Sequence, residues 1–544
     1  MITLRKISGH IVDVWKAQIY KGTIEIEGGK IVRIIEDEAV EESGYILPGL
    51  IDAHIHIESS LLTPSAFARL AVRHGTVATV SDPHEIANIL GIVGVDYMIE
   101  DGRRTPLKFY FGAPSCVPAT PFETAGAVLD AECIEALLCR KEIRFLGEMM
   151  NYPGVISRIP EVMARIDVAK RYGKPIDGHA PALTGENLAQ YIGAGISTDH
   201  ESMTEAEARE KIESGMKILI REGSAAKNFE VLNRLIDQYP ASCMFCSDDR
   251  HPDDLLCGHI NLLVKRALDC GRDLMNVLRC ACVNPVLHYG LDVGLLRVGD
   301  DADFIIVDSL DHFNVLKTVI RGEVVMEGGL STFTDEPTRV LNVMATGLKK
   351  PEDFIVVNEG EKIRVIEACN GQLVTGQSVE SIQLGGAYVM TDPGRDMLKI
   401  AVVNRYADVK PAVAFIRNFG MKRGAVASSV AHDSHNIVAV GVSDEDLALA
   451  VNAVICNGGG LSAVSGEEKH ILPLPVAGIM SAENGEKVAR DYERMNRTVR
   501  EFGCPLDAPF MTLSFMSLPV IPHLKLTDRG LFDGDTFRHV SLFV

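Results

Sequence analysis

The segment Asp52-Ala-His54-Ile-His56 constrains this chain more than any other feature of its sequence. It ends an apolar run, Tyr45-Ile-Leu-Pro-Gly-Leu-Ile-Asp52, which has the character of a β-strand with a turn signal inside it. Residues two apart on a strand point to the same side, so both imidazoles can aim at one point. Such a pair can supply half of the ligands of a metal site. Alternatively, the two histidines could bind no metal and simply line the polar end of a strand.

The composition is that of a globular protein with an acidic surface. The chain has 544 residues, 47% of them hydrophobic, and its formal net charge is −20. This charge argues against nucleic acid as a partner, because a phosphate backbone attracts a basic surface. No stretch has the layout of a signal peptide or the length of a membrane span, and the twelve cysteines follow no disulfide pattern. We therefore expect a cytoplasmic protein with no membrane partner.

Short apolar runs alternate with helical stretches between residues 50 and 290, and this β-α-β-α order predicts a parallel sheet. Each run ends in polar or aromatic residues. Eight such runs favour a (β/α)8 barrel, whose active site lies at the C-terminal ends of the strands. The ends are His54 with His56, Ser81-Asp-Pro-His84, Phe109-Tyr-Phe-Gly-Ala-Pro114, Glu148, His179, His200, Arg221-Glu222 and Ser247-Asp-Asp249.

The flanking regions have a different pattern, which predicts two further domains in this α/β protein. Residues 1–48 and 296–335 are β-like, and we expect them to form one companion β-sandwich domain. The barrel is predicted over 49–295. A polar, proline-containing stretch follows the second β-like segment, so residues 350–544 are predicted to form a C-terminal α/β domain.

Five of the eight strand ends carry side chains of the metal-ligand type, and a barrel gathers these ends around one axis. Four imidazoles and two carboxylates suit two divalent ions with one carboxylate bridging, and they suit manganese, iron or zinc better than calcium. A metal pair activates water for hydrolysis, and a carboxylate after the eighth run could move the protons. The predicted ligands are His54, His56, Glu148, His179, His200 and Asp248.

These residues carry a family resemblance. The segment Pro48-Gly-Leu-Ile-Asp-Ala-His-Ile-His56, the later strand-end histidines and Asp248 resemble the amidohydrolase superfamily. Many of its members bridge their metals with a carboxylated lysine on the fourth strand, where this chain has Glu148. The chain is similar specifically to the adenine deaminase family of bacteria and archaea, over essentially its whole length. The motifs that carry this likeness are Ser81-Asp-Pro-His-Glu85, Gly147-Glu-Met-Met-Asn151, Asp177-Gly-His-Ala-Pro181, Thr198-Asp-His-Glu-Ser202 and Ser247-Asp-Asp249.

The resemblance implies hydrolytic deamination of adenine to hypoxanthine and ammonia, with a metal-activated hydroxide attacking C6. It implies two divalent ions per chain, manganese before iron or zinc. Asp248 would deliver a proton to the departing amine, and Glu148 would be the metal bridge, the acid that protonates N1, or both. We expect adenine and water as the small-molecule partners and a homo-oligomer as the assembly.

Several further residues could act at the site, although some of them also have a simpler structural explanation. Asp82 and His84 follow the second run and could fix a ligand's tautomer or meet substrate, or Asp82-Pro83 could simply form a turn that caps the next helix. After the seventh run, Arg221, Glu222 and Ser224 could read the purine edge.

The segment Ala431-His-Asp-Ser-His-Asn436 is the polar cluster that stands out in the C-terminal region. Its side chains could bind an extra metal or close over the barrel mouth, or the segment could be a polar loop. For the whole chain, the alternatives to adenine deamination are another amidohydrolase, acting on a cyclic amide or an N-acyl amine, and a non-catalytic barrel stabilised by metal.

Overall fold

The companion sheet joins the two ends of the barrel region. The structure is a computed structural model, and it describes residues 4–334, 339–382 and 386–544. One sheet runs in the order β16-β15-β14-β13-β4-β1-β2-β3, and side chains from both of its halves share one apolar core. Its strands are β1 (Arg5–Asp13), β2 (Gln18–Glu27), β3 (Lys30–Glu36), β4 (Tyr45–Pro48), and later β13 (Phe304–Val307), β14 (Val315–Ile320), β15 (Glu323–Glu327) and β16 (Leu330–Ser331).

Eight parallel strands between the two halves of that sheet form the barrel, which confirms the predicted α/β architecture. Strands β5 to β9 form one parallel sheet and β10 to β12 another. A hydrogen bond from Ser197 N to Ile176 O (2.9 Å) joins the two sheets on one side, and a parallel bridge between Ile55 and Asp248 joins them on the other. The strands are β5 (Leu50–Ile55), β6 (Thr76–Ser81), β7 (Lys108–Ala113), β8 (Ile143–Met149), β9 (Ile176–Gly178), β10 (Thr198–Asp199), β11 (Lys217–Arg221) and β12 (Cys243–Cys246).

Helices surround the barrel, and local signals in the sequence mark where several of them begin. Proline occupies the first position of α1, α6 and α11, where its missing N–H costs nothing. The helices are α1 (Pro64–Ala71), α2 (His84–Leu90), α3 (Ile92–Gly102), α4 (Ala131–Leu138), α5 (Tyr152–Ile156), α6 (Pro160–Arg171), α7 (Gly185–Gly193), α8 (Glu205–Glu213), α9 (Phe229–Leu232), α10 (Leu235–Gln238), α11 (Pro252–Cys257), α12 (Ile260–Asp269), α13 (Leu274–Leu278) and α14 (Asn284–Tyr289).

The C-terminal region is built on a mainly antiparallel sheet of order β18-β17-β20-β19-β22-β21-β23-β24. Helix α15 packs on β21, β22 and β23, and a small sheet of β25 to β27 ends the chain. The elements are β17 (Lys362–Glu367), β18 (Gly376–Ser381), β19 (Leu398–Val403), β20 (Ala412–Arg417), β21 (Ala425–Ser428), β22 (Ile437–Gly441), α15 (Asp444–Cys456), β23 (Gly460–Ser465), β24 (Glu468–Pro473), α16 (Gly485–Glu501), α17 (Pro509–Ser514), β25 (Leu524–Thr527), β26 (Gly530–Asp533) and β27 (Arg538–His539).

The C-terminal region packs directly on the barrel. Helix α16 lies against α11 and α1, where Arg73 pairs with Glu486 at 2.6 Å. Two of the predicted domain bounds, at positions 1 and 335, lie outside the described residues. None of the helices in the described part of the chain combines the length and the apolar character that crossing a bilayer would need.

Candidate metal centre

His54 and His56 project from the end of β5 into the barrel, as the two-residue spacing predicts. Both are buried, and neither ring nitrogen of His54 has a hydrogen-bond partner among the described residues. His56 Nδ1 lies 3.0 Å from the carbonyl oxygen of Asp82. Because a carbonyl can only accept, Nδ1 carries the proton, and Nε2 is left free to bind a cation.

Glu148, at the end of β8, stands at the centre of the histidine cluster. Its Oε1 lies 3.2 Å from His56 Nε2. Its Oε2 lies 2.6 Å from His179 Nδ1 and 3.1 Å from His200 Nε2. Since its two oxygens face imidazoles from different strands, Glu148 has the arrangement that a bridging carboxylate needs.

Asp248 follows β12 and completes the cluster from the other side. Its backbone has a φ of 54°, a conformation that is uncommon outside glycine, and its N–H donates to His54 O at 2.9 Å. Asp248 Oδ1 lies 3.1 Å from His56 Nε2, and Oδ2 accepts a 2.6 Å hydrogen bond from Arg221 Nη1. One oxygen therefore faces the histidines while the other is fixed by a guanidinium.

Both central carboxylates are ionised in this environment. Burial acts to raise the pKa of Glu148, but the imidazoles of His179 and His200 outweigh it and hold the pKa well below its usual range. Burial also acts to raise the pKa of Asp248, but the charge of Arg221 and the nearby imidazoles outweigh it and hold the pKa well below its usual range. Ionised carboxylates are the form that binds cations.

The donor set fits divalent metal ions. Ligand atoms of His54, Glu148 and His200 lie within 4.8 Å of one another, as do those of His54, His56 and Asp248. Buried polar atoms normally have a hydrogen-bond partner, but the two ring nitrogens of His54 have none among the described residues. A bound metal ion would supply the missing partner. Mixed nitrogen and oxygen ligands suit transition metals.

The structure places the other predicted site residues in three different situations. Asp82 Oδ2 accepts a 3.0 Å hydrogen bond from Glu148 N, so it orients the central carboxylate. His84 lies beside the cluster, with Nδ1 3.6 Å from Glu148 Oε1. Glu222 pairs with Arg266 at 2.9 Å, and Ser224 donates to Asp254 at 2.5 Å, so these two side chains bond to groups outside the cluster.

Two acidic residues at this site were missed by the sequence analysis. Glu201 follows His200 directly. Its carboxylate accepts hydrogen bonds from Nη1 and Nη2 of Arg221, and one of its oxygens lies 3.6 Å from His179 Nδ1. Glu85 follows His84, and its two oxygens bind imidazoles of the C-terminal region. Both lie in motifs that carry the family resemblance and next to candidate residues, but their own contacts join segments that are distant in sequence.

The fold and this cluster together define a class of protein. Residues 45–325 match the model of the amidohydrolase family, and the chain belongs to that family. Residues 372–538 match the adenine deaminase C-terminal domain.

Relatives of similar length make the assignment more specific. An adenine deaminase of Salinibacter ruber is 56% identical over 540 residues, which are 99% of each chain. An adenine deaminase of Methanosarcina barkeri is 54% identical and covers 99% of this chain and 100% of its own. One of Borreliella burgdorferi is 47% identical over the same shares of the two chains. Within the amidohydrolases, the chain belongs to the adenine deaminase family.

Proposed function

We propose that this metal centre deaminates adenine hydrolytically, with Asp248 and Glu148 as its principal catalytic carboxylates. The reaction of the family adds the oxygen of water to C6 of adenine, breaks the bond between C6 and the exocyclic nitrogen, and releases ammonia and hypoxanthine. The observation that carries the proposal is the gathering of four histidines and two carboxylates at one end of the barrel, in a chain of this family.

The chain binds divalent metal, and we assign the ligands to the six residues predicted from the sequence. Two ions per chain, manganese before iron or zinc, would be held by His54, His56, Glu148, His179, His200 and Asp248. When bound, such ions lower the pKa of a coordinated water, so that hydroxide is available near neutral pH.

Asp248 is assigned the proton transfers. Arg221 fixes its Oδ2 at 2.6 Å, while Oδ1 faces the histidine cluster, where the attacking water must lie. In this position Oδ1 can take the proton that the water loses and pass it to the departing amine. The same carboxylate thus serves as base first and as acid second.

Glu148 would be a ligand shared by the two ions when they are bound. Both of its oxygens face imidazoles, and Asp82 fixes its backbone. Because Glu148 is ionised, it could protonate N1 of adenine only after taking one of the two protons that the attacking water loses. The oxygen that carries this proton would have to leave its imidazole partner, and Asp248 would pass the other proton to the departing amine. Asp82 is assigned an orienting role. His84 lies beside the central carboxylate, where it can meet substrate, and Arg221 holds Asp248 in place.

The setting of the enzyme is also part of the proposal. All twelve cysteines of the chain are free, which fits a reducing compartment, and we propose that the protein works in the cytoplasm. A homo-oligomer is proposed from the family resemblance. The partners are adenine and water, and the acidic charge argues against nucleic acid.

The test is a deamination assay on manganese-loaded protein. Ammonia release and the absorbance change from adenine to hypoxanthine should appear together, disappear with a chelator and return with manganese. If protein with two metals per chain leaves adenine unchanged, the proposal is wrong, and other amines and cyclic amides become the substrates to screen. If the metal had only a structural role, its removal would lower the melting temperature of the protein, and the metal-loaded protein would show no turnover.

A further inference from the structure

A turn from the C-terminal region reaches the edge of the metal centre. We call residues 431–436 the 431–436 turn; it connects β21 to β22. Its two histidines hold Glu85, at the start of α2, between them: His432 Nδ1 binds Oε1, and His435 Nε2 lies 2.5 Å from Oε2. The His432 ring also stacks on Phe515, with centroids 4.4 Å apart. The turn is therefore fixed to the barrel.

Asp433, between these two histidines in the sequence, lies beside Glu85 and His84, and His84 is next to the metal centre. One of its carboxylate oxygens, a Glu85 oxygen and a His84 nitrogen lie within 4.8 Å of one another. His84 Nδ1 in turn lies 3.6 Å from Glu148 Oε1, and its ring centroid lies 4.3 Å from that of His56. A single imidazole ring thus separates Asp433 from the centre.

Asp433 is buried and incompletely satisfied. The residue is 3% exposed, and its Oδ2 has no hydrogen-bond partner among the described residues. His84 Nδ1 is in the same condition. The charged groups that act most strongly on Asp433 are His84, Glu85, His432 and Glu148, and none of them is a lysine or an arginine. Leaving a buried carboxylate oxygen without a donor is costly, so a donor from outside the chain is expected at this position.

The substrate of the proposed function carries such a donor. Adenine as a free base has an N–H on its five-membered ring, on the side away from the N1 edge, and a carboxylate binds an N–H strongly. A nucleoside has a sugar on N9 and therefore lacks that donor. A site built to bind an N–H rejects analogues that lack it, because its own polar group is then left unpaired.

We propose that Asp433 accepts the ring N–H of the free base and thereby makes the centre select free purines over purines substituted at N9. This inference rests on the proposed function. It also gives the C-terminal region a role at the site: it supplies a specificity-determining carboxylate that the barrel strands do not carry.

The test compares two ligands that carry no amino group at C6, as competitive inhibitors of adenine deamination by the manganese-loaded enzyme. Purine has the ring N–H, whereas 9-methylpurine has none. We expect the wild type to bind purine at least about tenfold more tightly than 9-methylpurine. Asp433→Ala should bring the two inhibition constants within about threefold of each other, and Asp433→Asn, which keeps a neutral acceptor, should fall between.

The matched control is Asp444→Asn, which removes a carboxylate of the same region that pairs with Lys399 at 2.6 Å, and it should keep the wild-type ratio. An unchanged ratio in Asp433→Ala overturns the inference, and if that variant does not fold, an unchanged ratio in Asp433→Asn does the same. A third metal ion per chain that is lost with Asp433 also overturns it, since Asp433 would then be a ligand.

Failure of the proposed function would give a different result. In that case the metal-loaded wild type would not deaminate adenine at all. Direct calorimetric titration with purine and 9-methylpurine then takes the place of the inhibition assay, and the same ratios support or overturn the role of Asp433.

Discussion

Gly147 lies so close to Asp82 that a Cβ atom at position 147 would fall 2.3 Å from Asp82 Oδ2. That oxygen accepts the hydrogen bond from Glu148 N. A side chain on the residue before Glu148 is therefore incompatible with the carboxylate that orients Glu148. The absence of a side chain at this position is a requirement of the metal centre, and it is independent of backbone conformation.

Replacing Gly147 with alanine should disturb the centre without touching a ligand. In Gly147→Ala the methyl group has to displace Asp82, so Glu148 loses its orientation, and metal affinity should fall by about 10- to 100-fold. Metal titration monitored by recovered turnover measures this. The control is Gly193→Ala, at the end of α7, where an added Cβ meets no atom within 4 Å. Equal metal affinity in the two variants would contradict the role of Asp82.

Glu148→Gln tests the bridge. The amide keeps the size of the side chain but has no charge to hold two cations, so we expect loss of metal and a fall in turnover of at least about a hundredfold. Elemental analysis and the ammonia assay measure the two effects. The control is Glu142→Gln, which removes a half-buried partner of Arg103 just before β8, at the opposite end of that strand from Glu148. A variant with full metal content and full activity would show that Glu148 is not the bridge.

Asp248→Asn separates proton transfer from metal binding. Because the remaining ligands outnumber the one that is weakened, we expect much of the metal to stay while kcat falls by about 100-fold or more, the range of a lost general acid–base group. The measurement pairs kcat with metal content on the same sample. Normal deamination of adenine by this variant would remove Asp248 from the proposed proton transfers.

The gathering of these histidines and carboxylates could be predicted from the sequence, because the spacing within a strand and the order of the strands combine there. His54 and His56 share one side of β5, and the barrel topology brings Glu148, His179 and Asp248 to the same end. The barrel topology follows from the order of strands and helices along the chain, and the alternation of apolar runs with helical stretches predicts that order. The length of a strand was less predictable: the run before His200 contributes only two residues to the sheet, as β10.

Contacts between distant segments were not accessible in the same way. The bond between Glu85 and His432 joins residues 347 positions apart, and no local pattern records such a pairing. Arg221 is a related case. Its place after the seventh run suggested contact with substrate, but the direction of its side chain is set by Glu201 and Asp248, which it binds. Tertiary packing decides these details, between the barrel and the C-terminal region for Glu85 and within the barrel for Arg221.

The contact between the barrel and α16 contains a histidine that should make the fold sensitive to acid. His251, just before α11, is buried, and its Nδ1 lies 2.5 Å from the hydroxyl of Tyr492 on α16. Burial lowers the pKa of His251 to about 4, against the opposing charge of Asp254. The folded protein therefore keeps this imidazole neutral at pH values at which the unfolded chain protonates it.

This difference predicts how stability changes with pH. Between about pH 6.5 and 4 the unfolded state binds a proton at His251 that the folded state does not, so the free energy of unfolding falls as the pH is lowered, by up to about 3 kcal/mol. In His251→Gln the glutamine keeps a polar partner for Tyr492 but does not titrate. The free energy of unfolding of this variant should therefore fall less than that of the wild type as the pH is lowered. Denaturant unfolding of both proteins from pH 4 to 8 measures the difference between them, in which all other titrations cancel. A difference that stays constant across that range would mean that His251 is not held neutral by the fold.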